Sequence, residues 1–147
     1  MTDIVFQGTS AIALDAKGRI TVPVRQRDLL MQACEGRLTL TKHPDGYLWV
    51  MPRQRWEATR EHLMSMSMDA DPWRRVFLGS AVDVEIDGAS RVLVPPELRS
   101  AAGLVKDVRL IGNGRVLELW DAARHEAHEA TLLAQPMPAE IRSFVLR

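Results

Sequence analysis

The feature that most constrains this chain is an internal repeat. Asp15-Ala16-Lys17-Gly18-Arg19-Ile20-Thr21-Val22-Pro23 lies on Asp87-Gly88-Ala89-Ser90-Arg91-Val92-Leu93-Val94-Pro95, and the same offset sets Arg27 on Arg99. Five of the thirteen positions from Asp15 to Arg27 are identical, and Ile20 facing Val92 keeps a β-branched side chain. In 147 residues this predicts two like units in tandem. Units of about 50 residues bury little apolar surface alone, so the two are expected to pack together or to oligomerise.

Each copy reads as the same string of elements. A short alternating segment comes first, Ala11-Ile12-Ala13-Leu14 or Val82-Asp83-Val84-Glu85-Ile86. A polar turn follows, then a β-rich run, Arg19 to Val22 or Arg91 to Val94. Pro23, and Pro95-Pro96, end that strand and can open a helix, where the missing N–H costs nothing. Helices are expected over Arg25 to Met31 and Glu97 to Ala102, stopping near Gly36 and Gly103. A hairpin completes each unit: Leu38 to Thr41 and Tyr47 to Val50 flank a turn with Asp45-Gly46, while Val108 to Ile111 and Val116 to Leu119 flank Gly112-Asn113-Gly114.

A helix follows each unit, over Pro52 to Met64 and over Asp121 to Leu133, where Asp121 can serve as N-cap. Residues Ser65 to Pro72 form the break between repeats, and Trp73 to Leu78 lead helically into the second. The chain therefore divides into a first unit at 9–54, a helical linker at 55–80, a second unit at 81–124, and a C-terminal helix and tail at 125–147. The tail after Gln135-Pro136-Met137-Pro138 is expected to be partly disordered. The fold class is α+β and β-rich.

Lysine and arginine number 19, as do aspartate and glutamate, so the formal net charge is zero. That argues against a polycation coating nucleic acid, but not against a local basic patch. Lys17, Arg19, Arg25 and Arg27 concentrate positive charge directly after Asp15. The lone Cys34 cannot form an internal disulfide, as suits a reducing cytosol. The start, interrupted by Asp3, does not read as a signal peptide, and no apolar run approaches membrane-spanning length. A cytoplasmic protein with no membrane partner is expected.

The D-x-x-x-R pattern, followed by a β-rich run and proline, resembles the SpoVT/AbrB, or swapped-hairpin, family of DNA-binding domains. Two copies with an intervening helix resemble the MraZ family in particular. Gln7-Gly8, Asp15 to Arg19, Pro95-Pro96-Glu97-Leu98-Arg99, Ala102-Gly103-Leu104 and Leu117-Glu118-Leu119-Trp120-Asp121 match its segments in order, from roughly residue 6 to 125. The resemblance implies a pseudo-dimeric swapped-hairpin barrel and a regulator that binds promoter DNA at short direct repeats. It also implies repression of the chain's own division and cell-wall gene cluster, a homo-oligomeric ring of many subunits, and nucleoid association. This chain departs from the pattern at Ser90, where the first copy has Gly18, and at Ala89, where it has Lys17. If the turn needs positive φ, Ser90 carries strain that Gly18 avoids.

The candidate double-stranded DNA contacts are Lys17, Arg19, Arg25, Arg27, Arg91 and Arg99, with Asp15, Gly18 and Asp87 shaping the turns. Duplex binding needs cations spaced to match phosphates, and the planar arginine fork can grip phosphate or guanine with two bonds. Asp15 with Arg19, and Asp87 with Arg91, can equally pair to pin each turn; the two roles are compatible if the aspartate orients the arginine. Arg25 and Arg27 can also be read as solvated helix residues, and Glu97 weakens the field at Arg99. Arg74-Arg75 read as an exposed helix pair. His125 and His128 lack the i, i+4 spacing of a zinc helix and an evident third ligand, so no metal is expected. Trp49, Trp56, Trp73 and Trp120 read as core or subunit-interface residues. Cys34 reads as inert, and with no nucleophile–base set or glycine-rich phosphate loop, neither enzymatic activity, a cofactor nor a small-molecule substrate is expected. The same fold could serve an antitoxin, or a ring-forming assembly module that does not touch DNA.

Overall fold

A computed structural model describes residues 4–145. Asp3, used above to read the start, lies outside the described residues, as do the last two of the tail. The first unit contains β1 (Thr9–Ala13), β2 (Arg19–Thr21), α1 (Val24–Cys34), β3 (Arg37–Lys42), β4 (Leu48–Pro52) and α2 (Arg53–Met64). A 3-10 turn at Met68–Ala70 and α3 (Asp71–Ser80) lead into the second. There β5 (Val82–Glu85), β6 (Arg91–Leu93), α4 (Pro96–Ala101), β7 (Asp107–Asn113), β8 (Val116–Asp121) and α5 (Ala122–Leu133) repeat the order, and α6 (Ala139–Val145) ends it.

The units interlock. Six strands form one antiparallel sheet in the order β1-β7-β8-β4-β3-β5, which keeps its pattern when the units are exchanged. The first strand of each unit lies on the other unit's hairpin: Ala11 is opposite Arg109, and Val84 is opposite Leu38. Strands β2 and β6 leave this sheet and pair with each other, with Arg19 opposite Leu93, Ile20 opposite Val92 and Thr21 opposite Arg91. This departure leaves β1 and β5 as edges, so the six-stranded sheet is not closed.

Alternation along the strands supplies the core. Leu38, Leu40, Leu48, Val50, Val108, Leu110, Leu117 and Leu119 face one side and meet Ile20, Val22, Val92 and Val94 of the ribbon, with Leu30 of α1 and Leu98 of α4. Truncating a fully buried leucine such as Leu119 to alanine should cost about 2–5 kcal/mol, transfer and cavity together. The opposite sheet face buries Met51 against Trp56 and Leu63 of α2, with Trp49, Phe77 and Val116 beside them.

The proline signals act alike in both units. Pro23 (φ −57°, ψ 147°) and Pro95 (φ −58°, ψ 148°) are extended N-caps that end the ribbon strand and open α1 and α4. Asp121 caps α5, accepting from the Arg124 amide at 3.0 Å.

Two expectations are revised. The tail is irregular only over residues 135–138: Ala139–Val145 is helical, with the Arg142 amide donating to the Pro138 carbonyl at 2.9 Å, so the proline starts a helix. Arg74 is not half of an exposed pair. Its guanidinium donates to the carbonyls of Leu63, Met66 and Ser67, tying α3 to the end of α2 and the loop behind it, while Arg75 stays exposed and pairs with Asp71 at 2.8 Å.

Candidate nucleic-acid interface

Both D-x-x-x-R turns are built by their aspartates. One carboxylate oxygen of Asp15 accepts the backbone amides of Lys17 (2.9 Å) and Arg19 (2.8 Å), and the other accepts Arg19 Nε at 2.8 Å. Asp87 repeats this with the amides of Ala89 (2.9 Å) and Arg91 (2.8 Å) and with Arg91 Nε at 3.2 Å. The bonded arginine amide, chief among these donors, holds each carboxyl below its ordinary value of 3.8. Each guanidinium is thus held at Nε, leaving its two terminal nitrogens for an outside acceptor. Arg19 and Arg91 therefore both pin a turn, and each keeps two terminal guanidinium nitrogens beyond the bond to its aspartate.

The turns lie at opposite ends of the β2–β6 ribbon and are stitched to it. The Val22 amide donates to the Ser90 carbonyl at 2.8 Å, and the Val94 amide to the Gly18 carbonyl at 2.9 Å. Gly18 has φ +82° and Ser90 φ +64°, so the turn does require the left-handed region and Ser90 does carry the strain expected there.

The helix arginines are also placed by the repeat. Arg27 donates to Ser90 Oγ at 3.1 Å and pairs with Asp28 at 3.1 Å. Its counterpart Arg99 donates Nε to the Val94 carbonyl at 3.0 Å and covers Gly18 so closely that a Cβ there would lie 2.6 Å from its Cζ. Arg25 donates to the Gln7 carbonyl at 3.0 Å and braces the segment before β1. Lys17 is exposed, and its ammonium pairs with no side chain among the described residues.

On the ribbon, Ile20 and Val92 face the core at 3% and 1% exposure. Their neighbours Arg19, Thr21, Arg91 and Leu93 therefore occupy the outer face. Period-two alternation around Ile20 and Val92 could have placed Thr21 and Leu93 with the two arginines, but only once the strands were known to pair.

The bland readings separate by position. Cys34 is buried, its thiol donating to the Leu30 carbonyl with Sγ 3.1 Å from the oxygen, and its pKa is pushed up by burial. Trp56 and Trp120 are buried, Trp49 is half-buried, and Trp73 is exposed, outside the core. Trp49 and Trp120 do more than fill space: Phe77, Trp49, His43, Tyr47 and Trp120 make consecutive ring contacts at 5.3, 4.8, 4.3 and 4.7 Å, and His128 adds one at 4.9 Å. Glu118, buried beneath this row, accepts from Trp120 Nε1 and Asn113 Nδ2, each at 2.9 Å. Burial, reinforced by Glu118, pushes the Tyr47 phenol up. His125 packs on Trp120 at 5.3 Å and lies 3.5 Å from Glu129. Among the described residues no group of three or more histidine, cysteine, aspartate or glutamate side chains is placed to hold a metal, and no helix is long and apolar enough to cross a membrane.

Fold and site define a class: an interlocked tandem-repeat α+β protein whose two aspartate-built turns present arginines from one short β-ribbon. The family model described as "MraZ protein, putative antitoxin-like" matches residues 5–76 and again residues 77–144. The chain belongs to the MraZ family. It is 57% identical over 144 residues to a protein of Methylibium petroleiphilum, covering 98% of this chain and 99% of that one. It is 58% identical over 144 residues to one of Leptothrix cholodnii, with the same coverage, and 54% identical over 140 residues to one of Cupriavidus taiwanensis, covering 95% and 99%. All three relatives bear the name "Transcriptional regulator MraZ".

Proposed function

We propose that the chain is a sequence-specific transcriptional regulator that binds duplex promoter DNA through the outer face of the β2–β6 ribbon and its two turns. The observation that carries this reading is the pair of Asp-held arginines, Arg19 and Arg91, on one exposed ribbon face. Antiparallel ribbons fit a DNA groove, and a guanidinium held at Nε keeps the geometry needed for a phosphate or a guanine. Lys17 adds a free cation at the first turn, Arg27 and Arg99 brace the ribbon's turns, and Arg25, held on the Gln7 carbonyl before β1, extends the positive field. The relatives' name supports regulation of transcription as the purpose of that contact.

In this reading the chain works in the cytoplasm, at the nucleoid, as a ring-like homo-oligomer on short direct repeats. It represses its own promoter and with it the division and cell-wall gene cluster, and it needs no cofactor or catalytic step. The test is a gel-shift titration on the duplex upstream of its own gene at several salt concentrations. Lys17→Ala with Arg19→Ala should abolish specific binding; because Arg19 also pins its turn, circular dichroism and oligomer size are measured alongside. Full affinity in the folded double variant would remove the ribbon from the interface.

The family description also favours a second reading, an antitoxin-type protein that holds DNA with the ribbon and a protein partner with its C-terminal extension. Leu132, Leu133 and Ile141 of that extension are exposed. A toxin gene beside this one, and a stable complex of the two products, would establish it; division genes on both sides would end it.

A further inference from the structure

We infer that Leu93 reads a base, seating its side chain against a thymine methyl group in the major groove beside the base pair reached by Arg19. The inference rests on the duplex-binding reading above and assigns a specificity role to a residue outside the cationic set.

The outer face of the ribbon has four members. Two are guanidinium groups held by aspartates, one is the hydroxyl of Thr21, and the fourth is Leu93, 53% exposed. Leu93 is kept on that face by Val92 and Val94 on either side of it, which are 1% and 0% exposed and fix the alternation. A leucine left alone on a surface needs no explanation. This one sits directly across the ribbon from Arg19, its register partner.

Duplex chemistry then limits what such a side chain can touch. Phosphates and sugar oxygens offer a leucine nothing, whereas the C5-methyl of thymine is an apolar feature of the major-groove edge. Side chains directly opposite in an antiparallel pair have Cβ atoms about 4.5–5.5 Å apart, and base pairs stack about 3.4 Å apart. A base gripped by Arg19 therefore puts Leu93 over the same base pair or a near neighbour.

The repeat strengthens the case. The residue equivalent to Leu93 is Thr21, which stands opposite Arg91. The two ends of the reading face thus carry arginine with leucine and arginine with threonine. The ribbon is pseudo-symmetric in backbone and asymmetric in what it can recognise: the larger apolar side chain, and with it the stronger methyl dependence, stands at the end where Leu93 faces Arg19.

The experiment uses the full chain and the segment footprinted upstream of its own gene, with each thymine in turn replaced by deoxyuridine, which lacks only the methyl. Wild type should lose about fourfold in affinity at one position, equivalent to about 0.8 kcal/mol for one buried carbon. Leu93→Ala should bind the thymine and deoxyuridine duplexes alike at that position, with an unchanged slope of affinity against salt. Leu93→Asn, which keeps a side chain on the outer face but offers no methyl group, should also lose the methyl dependence. Uniform insensitivity of wild type to deoxyuridine, or a sensitivity that survives in both variants, would overturn the inference and leave duplex binding standing. Failure of wild type to bind the duplex at all would overturn both.

Discussion

Arg27 and Ser90, 63 positions apart in the chain, are joined by a 3.1 Å hydrogen bond that ties the first helix to the second unit's turn. The mirror contact, Arg99 over Gly18, has no hydroxyl to receive it, and Arg99 instead donates to the Val94 carbonyl. Each unit's arginine thus lies on the other unit's turn, bonded to it through Arg27 and packed over it through Arg99.

This reciprocity makes the two turn positions respond differently to the same exchange. Ser90 sits at φ +64°, a conformation that costs an L-residue about 1–2 kcal/mol. Ser90→Gly removes that strain together with a hydrogen bond worth about 0.5–1.5 kcal/mol, so stability should change by less than about 1 kcal/mol. Ser90→Ala keeps the strain and loses the bond, and should cost about 1 kcal/mol. Gly18→Ser introduces the strain and places a Cβ 2.6 Å from Arg99 Cζ, displacing Arg99 from the Val94 carbonyl. It should be the most damaging of the three in urea unfolding. A Gly18→Ser protein as stable as Ser90→Gly would show that the turns are not held in this way.

The two ends of the ribbon should contribute unequally to DNA affinity. Lys17 is exposed at the first turn, while Ala89 occupies its place in the second. Lys17→Ala should lower the slope of log affinity against log salt by about one unit, the signature of one lost phosphate contact. Arg91→Ala should reduce stability or assembly at least as much as affinity, because it also empties a turn that Asp87 builds around it. Equal affinity losses from both substitutions, with unfolding midpoints untouched, would contradict this asymmetry.

The repeat, its turns and its helices were legible because their signals are local. Asp15 and Asp87 each accept from amides two and four residues ahead, and Pro23 and Pro95 act on the next residue. The strain at Ser90 was readable for the same reason, by setting it on Gly18. What the sequence did not disclose are the pairings between units. Nothing local places β1 on β7, sets Leu93 opposite Arg19, or shows that the ribbon strands leave the six-stranded sheet. The aromatic row was illegible for that reason too: Tyr47 and Trp120 are far apart in the chain and stack only because β4 lies beside β8. Arg74 looked exposed because it stands beside another arginine, and its carbonyl partners come from a loop whose path depends on packing.

Stability should fall as pH drops through the histidine range, and His43 should be responsible. Burial lowers its pKa from 6.5, outweighing the opposing charges of Asp45 and Glu118. Its Nδ1 accepts the Asp45 amide at 3.1 Å, which requires the neutral ring. Below pH 6.5 the unfolded chain takes up a proton that the folded chain resists, so the stability is fully present above about pH 7 and declines toward pH 5. Asp15 and Asp87 act in a lower window: their folded values lie below 3.8, so their contribution is intact through this range and is lost only as pH falls through those values. His43→Phe should flatten the unfolding midpoint between pH 5 and 7. A slope that persists in the variant would place the responsible group elsewhere.

Assembly should set the affinity. One chain offers a single ribbon, on which Arg19, Arg91 and Lys17 are the cations best placed to meet phosphates, and so few contacts give weak binding at cellular salt. Joining several ribbons in one particle raises the effective concentration of each without any new contact, provided their spacing matches that of the DNA elements. The purified protein should therefore be a large homo-oligomer by light scattering coupled to size exclusion, and tight binding should need at least two elements on the same face of the duplex. Inserting about 5 base pairs between elements, half a helical turn, should carry the second to the opposite face and reduce affinity toward that of a single element. A further insertion of the same length restores the face and should recover part of the loss. A monomer that binds one isolated element as tightly as the whole promoter would require each ribbon to work alone, and would leave a ring no role in recognition.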